Sequence, residues 1–213
     1  MRIITCVVGA FQENCYLLID EESARAVLID PGDEGDALVA EVQSSGATLE
    51  AIWLTHAHLD HIGGVAAVRR VWNVPMYMHP ADRPVYEFAP GVAQRYGVPF
   101  ELGPLPDHDL ADGDTMSLGS LRFGVMHAPG HSPGHVVFHG HGVVFGGDCL
   151  FAGSVGRTDL PLSDGAELLR SLARIVTLPP ETIVYCGHGE PTTVGEELAD
   201  NPFLTGVARP LRR

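Results

Sequence analysis

From Thr55 to His61 the chain reads Thr-His-Ala-His-Leu-Asp-His, which places three imidazoles and one carboxylate within residues 56–61. No other stretch constrains the fold as strongly. The run before it, Glu50-Ala51-Ile52-Trp53-Leu54-Thr55, is apolar and β-prone and reads as a buried strand. The run after it, 62–72, passes through Gly63-Gly64 and then sets Val65, Val68 and Val71 at helical spacing. The cluster therefore belongs at a strand-to-helix turn, at the carboxyl end of the strand, which is the edge where α/β folds bind ligands. Histidine is scarce, and this density at a strand end has no packing rationale. A set of solvated surface histidines is the weaker account.

Imidazole nitrogen and carboxylate oxygen suit a borderline divalent ion: zinc, or iron or manganese. A single tetrahedral site rarely takes more than four protein ligands. Four donors on one turn, with further histidines downstream, point to two ions. His56 and His58 alternate, so both face one way from an extended segment. Asp60 and His61 follow the turn and serve a neighbouring position.

The pattern His56-x-His58-x-Asp60-His61 resembles the central motif of the metallo-β-lactamase-fold hydrolases. The resemblance runs over nearly the whole chain and implies a four-layer αββα sandwich, of α/β (α+β) class, with residues 1–213 as one domain. It takes in Gln12-Glu13-Asn14-Cys15-Tyr16, Asp30-Pro31-Gly32, Gly130-His131-Ser132-Pro133-Gly134-His135, Gly146-Gly147-Asp148 and Gly187-His188-Gly189-Glu190-Pro191. Carried over position by position, it implies two metal sites: His56, His58, His131 and Asp148, and Asp60, His61, His188 and Asp148. Asp148 bridges them and His135 is structural. True β-lactamases of this fold lack the bridging Asp, which argues against antibiotic hydrolysis, and flavodiiron proteins carry Glu where His58 stands. The segment from Phe151 to Pro161, together with Thr192-Thr193, Gly195-Glu196 and Asn201-Pro202-Phe203-Leu204, resembles the short bacterial glyoxalase-II-like branch and, in the first of these stretches, the persulfide dioxygenases.

Around these motifs, residues 2–8, 13–20 and 25–30 read as strands and 34–45 as an amphipathic helix. Val74 to Met78 is a short strand, and Pro80 starts a helix or loop. Residues 87–112, rich in Pro, Gly and acidic residues, read as the least regular segment and a flap over the site. Leu118 to Met126 forms a hairpin turning at Gly119-Ser120. Strands follow at 136–139, 142–146 and 181–185, with a helix over 164–177. Asp30 is either a partner for a ligating histidine or a turn-forming residue ahead of Pro31-Gly32. His79 is either a residue near the site or, as a lone histidine before Pro80 more often is, a structural turn residue. His108 is solvated, and His127, His139 and His141 have no motif support. Arg157 either meets a substrate carboxylate or pairs with Asp159.

Length suits one domain with a sizeable core. The net charge of −14 argues against nucleic acid or anionic lipid as a partner. Every basic residue is an arginine, since the chain has no lysine. Cys6, Cys15, Cys149 and Cys186 lack any Cys-x-x-Cys spacing. No apolar run spans a bilayer or forms a secretory core, so the expected location is the cytoplasm.

The resemblance then implies a metal-dependent hydrolase of small-molecule thioesters, similar to glyoxalase II acting on a lactoyl-thiol. Asp60 both ligates and orients the nucleophile or shuttles its proton. Alternatives on the same ligands are a persulfide dioxygenase with one iron, on His56, His131 and Asp148, and a lactone hydrolase. One departure matters: only 25 residues follow His188, so the helical region with which full-length glyoxalase II enzymes grip glutathione has no visible counterpart. Arg209, Arg212 and Arg213 are either its substitute or a frayed basic end.

Overall fold

A computed structural model describes residues 1–210; the expectation for Arg212 and Arg213 lies outside the described residues. The chain opens with three antiparallel strands, β1 (Arg2–Val8), β2 (Glu13–Asp20) and β3 (Arg25–Ile29), then helix α1 (Gly35–Ser45) and strand β4 (Thr48–Trp53). Two short helices follow, α2 (Leu59–Ile62) and α3 (Val65–Val71), then β5 (Met76–Met78), α4 (Arg83–Tyr96) and β6 (His108–Asp109). The second half holds β7 (Thr115–Leu118), β8 (Leu121–His127), β9 (Val136–Gly140), β10 (Val143–Gly147), a small hairpin of β11 (Leu150–Phe151) and β12 (Ser154–Val155), helix α5 (Gly165–Ile175), β13 (Ile183–Cys186), β14 (Thr192–Thr193) and α6 (Val194–Asp200).

Among the described residues there are two six-stranded sheets, in the orders β1-β2-β3-β4-β5-β6 and β14-β13-β10-β9-β8-β7. Strand β2 is buried along its whole length, and its two faces serve different layers because successive side chains point to opposite sides. Leu17 and Ile19 join Leu28 and Ile52 beneath Leu38 and Val42 of α1 and Val65 and Val68 of α3. Tyr16 and Leu18 face the other way, with Val27, Ile29 and Trp53, onto Phe123, Phe138 and Phe145 of the second sheet. On the far side of that sheet, Leu168, Leu172 and Ile175 of α5 cover Val137, Val144 and Val184. The layers are thus helix, sheet, sheet, helix, as expected for the αββα sandwich. Trp53 lies between the sheets, its ring centroid 5.3 Å from Phe138 and 6.0 Å from Phe123. Truncating such a side chain to Ala costs about 3–5 kcal/mol.

One segment departs from expectation. Residues 87–96, read as irregular, belong to α4. Pro84 sits in the first turn, where its missing N–H is harmless. Tyr86, Ala89 and Ala93 recur at helical spacing and are buried, and Gly97 ends the helix with φ 68°, donating to Ala93 O and Gln94 O. Pro90 faces solvent inside the helix. The Pro and Gly content masked an amphipathic stripe.

Two backbone bonds join the face-packed sheets at their strand ends, and a third continues the pairing of β10 with β13. Val136 N donates to Thr55 O at 2.8 Å, Asn14 N to Gly187 O at 2.8 Å, and Gly187 N to Gly147 O at 2.8 Å. These bonds draw the carboxyl ends of β4, β10 and β13 together, and the motif residues lie there.

Candidate metal centre

The segment 55–61 leaves β4 and turns at once into α2, with His58 at its N-terminal flank in extended conformation and His61 N bonded to His58 O at 3.0 Å. This turn is what divides the donors: His56 and His58 precede it, Asp60 and His61 lie within it. The turn packs against the Pro31-Gly32 corner so closely that a Cβ on Gly32 would stand 1.8 Å from Asp60 O. Only glycine fits there.

The chain brings the expected donors into two sets. Ligand atoms of His56, His58 and His131 lie within 4.8 Å of one another, and so do those of Asp60, His61 and His188. Asp148 touches both. Its Oδ2 is 3.4 Å from His131 Nε2 and 3.6 Å from His188 Nε2, and its Oδ1 is 3.4 Å from His61 Nε2. Asp60 Oδ2 is 3.3 Å from His188 Nε2, and His58 Nδ1 is 2.8 Å from His131 Nε2. Behind Asp148 the loop after β13 closes in: a Cβ on Gly187 would meet Asp148 Oδ1 at 2.2 Å.

Hydrogen bonds on the far side of the rings fix which nitrogen faces inward. His61 Nδ1 donates to Asp30 Oδ2 at 3.0 Å, His131 Nδ1 to Arg157 O at 2.9 Å and His188 Nδ1 to Phe11 O at 3.1 Å. Each leaves Nε2 pointing at the cluster. This is the arrangement by which a ligating histidine has its tautomer and ring orientation set. His56 Nε2, His61 Nε2 and Asp148 Oδ1 are buried with no hydrogen-bond partner. Buried polar atoms without partners are costly, and unpartnered donors in both sets, with Asp148 between them, fit divalent cations.

Electrostatics agree. Burial, then the neighbouring His131, pushes His58 down to about 3. Burial likewise holds His56 well below the ordinary imidazole range. Both are neutral donors at physiological pH. Asp148 is pushed upward by burial, but His61, His131 and His188 outweigh this and hold it well below the usual carboxylate range. His61 is pushed down by burial and more strongly up by Asp148, Asp30 and Asp60, so it ends well above its usual range. The carboxylates around His61 call for a positive counter-charge, which a dication supplies more strongly than a proton.

Other expectations resolve on the same geometry. Asp30 is the partner of His61, and it also accepts from Thr55 N at 2.7 Å and Thr55 Oγ1 at 2.5 Å. His135 stays outside the ligand sets: its Nε2 accepts from Asp148 N at 3.0 Å. His79 is a turn residue, with Nδ1 accepting from Ala81 N at 3.3 Å. Arg157 lines the cavity at the site but pairs through two bonds of 2.7 Å with Asp159. Arg209 donates to its own backbone neighbours, Ala208 O at 3.2 Å and Gly206 O at 3.4 Å.

Four contributors escaped sequence reasoning. Asp82, fully buried at the end of the Pro80–Asp82 turn, accepts from Ala57 N at 2.9 Å, Ser132 Oγ at 2.8 Å and Gly134 N at 2.5 Å. It ties the His56–His58 segment to the His131 loop. Burial pushes its carboxyl up to about 6 against those three bonds. Glu13 lies buried behind His61, its Oε1 3.7 Å from Nδ1. Asn14 and Tyr16 hold the His188 loop through Cys186 O, at 3.0 and 2.5 Å, and Asn14 also reaches Gly189 O at 2.8 Å. The motif at 12–16 signalled a strand, but its contacts to Cys186 O lie 170 and 172 residues away in sequence.

A cavity of about 440 Å³ opens beside the cluster, lined by His58, Asp60, His131, Asp148 and His188 on one side and by α4 on the other. Of the expected flap, residues 87–96 belong to this helix, and 97–112 are irregular apart from β6.

Comparison with known proteins agrees with the architecture and the site. A Haemophilus influenzae protein named hydroxyacylglutathione hydrolase GloC is 38% identical over 209 residues, covering 96% of this chain and 98% of its own. A protein solved in a di-iron-bound form, TTHA1623, superposes with a TM-score of 0.88 at 47% identity, covering 94% of this chain and all of its own. A protein described as a B3 metallo-beta-lactamase, BLEG-1, superposes with a TM-score of 0.90 at 40% identity, covering 96% of this chain and all of its own. The family model for the metallo-beta-lactamase superfamily matches residues 8–188, the span from the end of β1 to the last histidine of the cluster, and the chain belongs to that superfamily.

Proposed function

We propose that this chain is a metal-dependent thioester hydrolase with two ions, the first held by His56, His58, His131 and Asp148 and the second by Asp60, His61, His188 and Asp148. The observation that carries this reading is Asp148, whose two oxygens reach histidines of both donor sets. The donor chemistry suits zinc, iron or manganese, and the relative solved with two irons makes iron a serious occupant. A pair of such ions supplies a water with pKa near 7 and polarises a carbonyl oxygen.

The residues of the chain do the rest. His58, His131, Asp148 and His188 border the cavity, so a substrate seated there brings its carbonyl to the cluster. Asp60 also borders it, and the His188 and His61 imidazoles, working against burial, keep its carboxyl below the usual range. Ionised at neutral pH, Asp60 orients the attacking water and accepts its proton. A thiolate leaves without prior protonation, which suits a cavity whose described lining holds no carboxyl group beyond Asp60 and Asp148. The relative named hydroxyacylglutathione hydrolase supports the thioester as substrate. The complete second set around His61 favours this reading over a one-iron dioxygenase on His56, His131 and Asp148.

The test is metal content per chain in protein purified without chelator, followed by hydrolysis of a lactoyl-thioester. About two ions and loss of the thioester are expected. Close to one iron, with oxygen uptake on a persulfide, would replace this reading with the dioxygenase. A cephalosporin belongs in the same panel, since BLEG-1 is described as a B3 metallo-beta-lactamase.

A further inference from the structure

The cavity has two chemically different halves. The cluster forms one. The other is apolar, and α4 builds it: Val85, Ala89, Val92 and Tyr96 recur at i, i+4, i+7 and i+11 and all line the cavity. This is the spacing that puts side chains on one face of a helix. Tyr96 meets Phe11 edge to face, with ring centroids 5.6 Å apart, and both rings line the cavity. Phe151 and Val155 are among the side chains that line it from the β11–β12 hairpin.

Charge is scarce in that half. Among the described lining residues the one guanidinium or ammonium is that of Arg157, and its Nε and Nη2 both bond Asp159 at 2.7 Å. A charged thiol carrier such as glutathione brings carboxylates, and the apolar half offers them no unengaged partner. An apolar arm, by contrast, gains about 0.8 kcal/mol for each methylene removed from water. A cavity of about 440 Å³ lies toward the small end of ligand sites. It has room for an acyl arm of several methylenes, and the carrier departs as thiolate.

Resting on the thioester reading above, we infer that the helix α4 wall is an acyl subsite, and that the preferred substrates are thioesters of apolar acyl groups rather than of the small hydroxyacyl group. Selectivity resides in the acyl chain, and Val92, at the middle of the wall, is a specificity-determining residue.

The experiment measures kcat/KM of the metal-loaded protein on acetyl, butyryl, hexanoyl and lactoyl esters of one small uncharged thiol, N-acetylcysteamine, and on lactoylglutathione. Each added methylene should raise kcat/KM by up to roughly fourfold. Hexanoyl should exceed both acetyl and lactoyl by more than roughly tenfold. Val92→Trp fills the subsite and should lower the hexanoyl-to-acetyl ratio at least tenfold, with metal content retained. Calorimetric binding of the product carboxylates gives a readout independent of turnover, and hexanoate should bind more tightly than acetate. A flat or falling chain-length series, a ratio unmoved by Val92→Trp, or lactoylglutathione as the best substrate would each overturn the acyl subsite while leaving the thioesterase intact. No turnover of any thioester would bring down both.

Discussion

Asp82 Oδ2 lies 2.9 Å from the backbone nitrogen of Ala57, the residue between His56 and His58. The same oxygen accepts from Ser132 Oγ at 2.8 Å, next to His131 in sequence. One carboxylate thus sets the spacing of two chain segments that carry the first donor set. Asp82→Ala leaves two backbone N–H groups and a hydroxyl buried without partners, at roughly 1–3 kcal/mol for each group left unsatisfied. The melting temperature should fall by about 2–4 °C for each kcal/mol lost. Metal content should fall as well, because His58 and His131 no longer hold their separation of 2.8 Å. Thermal melts and elemental analysis of the variant check this. Unchanged metal content would reduce Asp82 to a packing role.

Asp30 makes a different kind of link. It holds Thr55 through two hydrogen bonds and receives His61 Nδ1–H on Oδ2. Losing the carboxylate removes the anchor that turns His61 Nε2 toward Asp148. Partners of this kind are worth 10–100-fold in metal affinity. Asp30→Asn should therefore weaken metal binding by roughly that factor, measured by competition with a chelator of known affinity. Wild-type affinity in the variant would leave Asp30 as a turn residue only.

The links at Asp82 and Asp30 show how far the sequence could be read. Strong local patterns were legible: the strand-turn-helix at 50–72, the hairpin at Gly119-Ser120 and the loops presenting His131 and His188. Local pattern decides these, because a strand end or a tight loop is specified by its own residues. Asp30 was visible only as two alternatives, since its partner His61 is 31 residues away. Asp82 was invisible. A buried Asp after a short helical turn looks like any N-terminal capping residue, and its partners lie 25, 50 and 52 residues distant. Helix α4 was misread because Pro and Gly content outweighed a stripe at helical spacing, although Pro84 sits where proline is tolerated and Pro90 faces solvent.

Asp20 connects the ends of the two sheets. It accepts from Ser120 N at 2.9 Å, Ser23 Oγ at 2.7 Å and Glu22 N at 3.2 Å, so the turn after β2 is bound to the turn between β7 and β8. The bond from the Ser120 backbone is the largest cause that holds its carboxyl down at about 2, from an ordinary 3.8. A depressed carboxylate stabilises the fold fully above its unfolded pKa and ceases to do so as pH falls through its folded pKa. Asp20→Asn should therefore be less stable than the parent chain at neutral pH. The gap should begin to close near pH 4 and be gone only below about pH 2. Urea denaturation of both chains across that range measures it. A gap independent of pH would mean the loss is steric rather than ionic.

His188 offers the sharpest test of a second ion. Its side chain is 29% exposed, against 0% for His61, so its removal disturbs packing least among the second set. Its Nε2 faces Asp60 Oδ2 at 3.3 Å and Asp148 Oδ2 at 3.6 Å, whereas His56, His58 and His131 do not depend on it. His188→Ala should accordingly keep its fold and one ion and lose the other, taking metal content from about two per chain toward about one. Thioester hydrolysis should fall by more than roughly 100-fold, beyond the effect of losing a histidine's outer partner. Far-ultraviolet circular dichroism separates this from unfolding. If metal content stays at its parental value and activity with it, the second set is not a metal site and the two-ion hydrolase fails. If metal content halves while activity persists, the chemistry belongs to the His56, His58 and His131 set alone, and a one-metal mechanism takes its place.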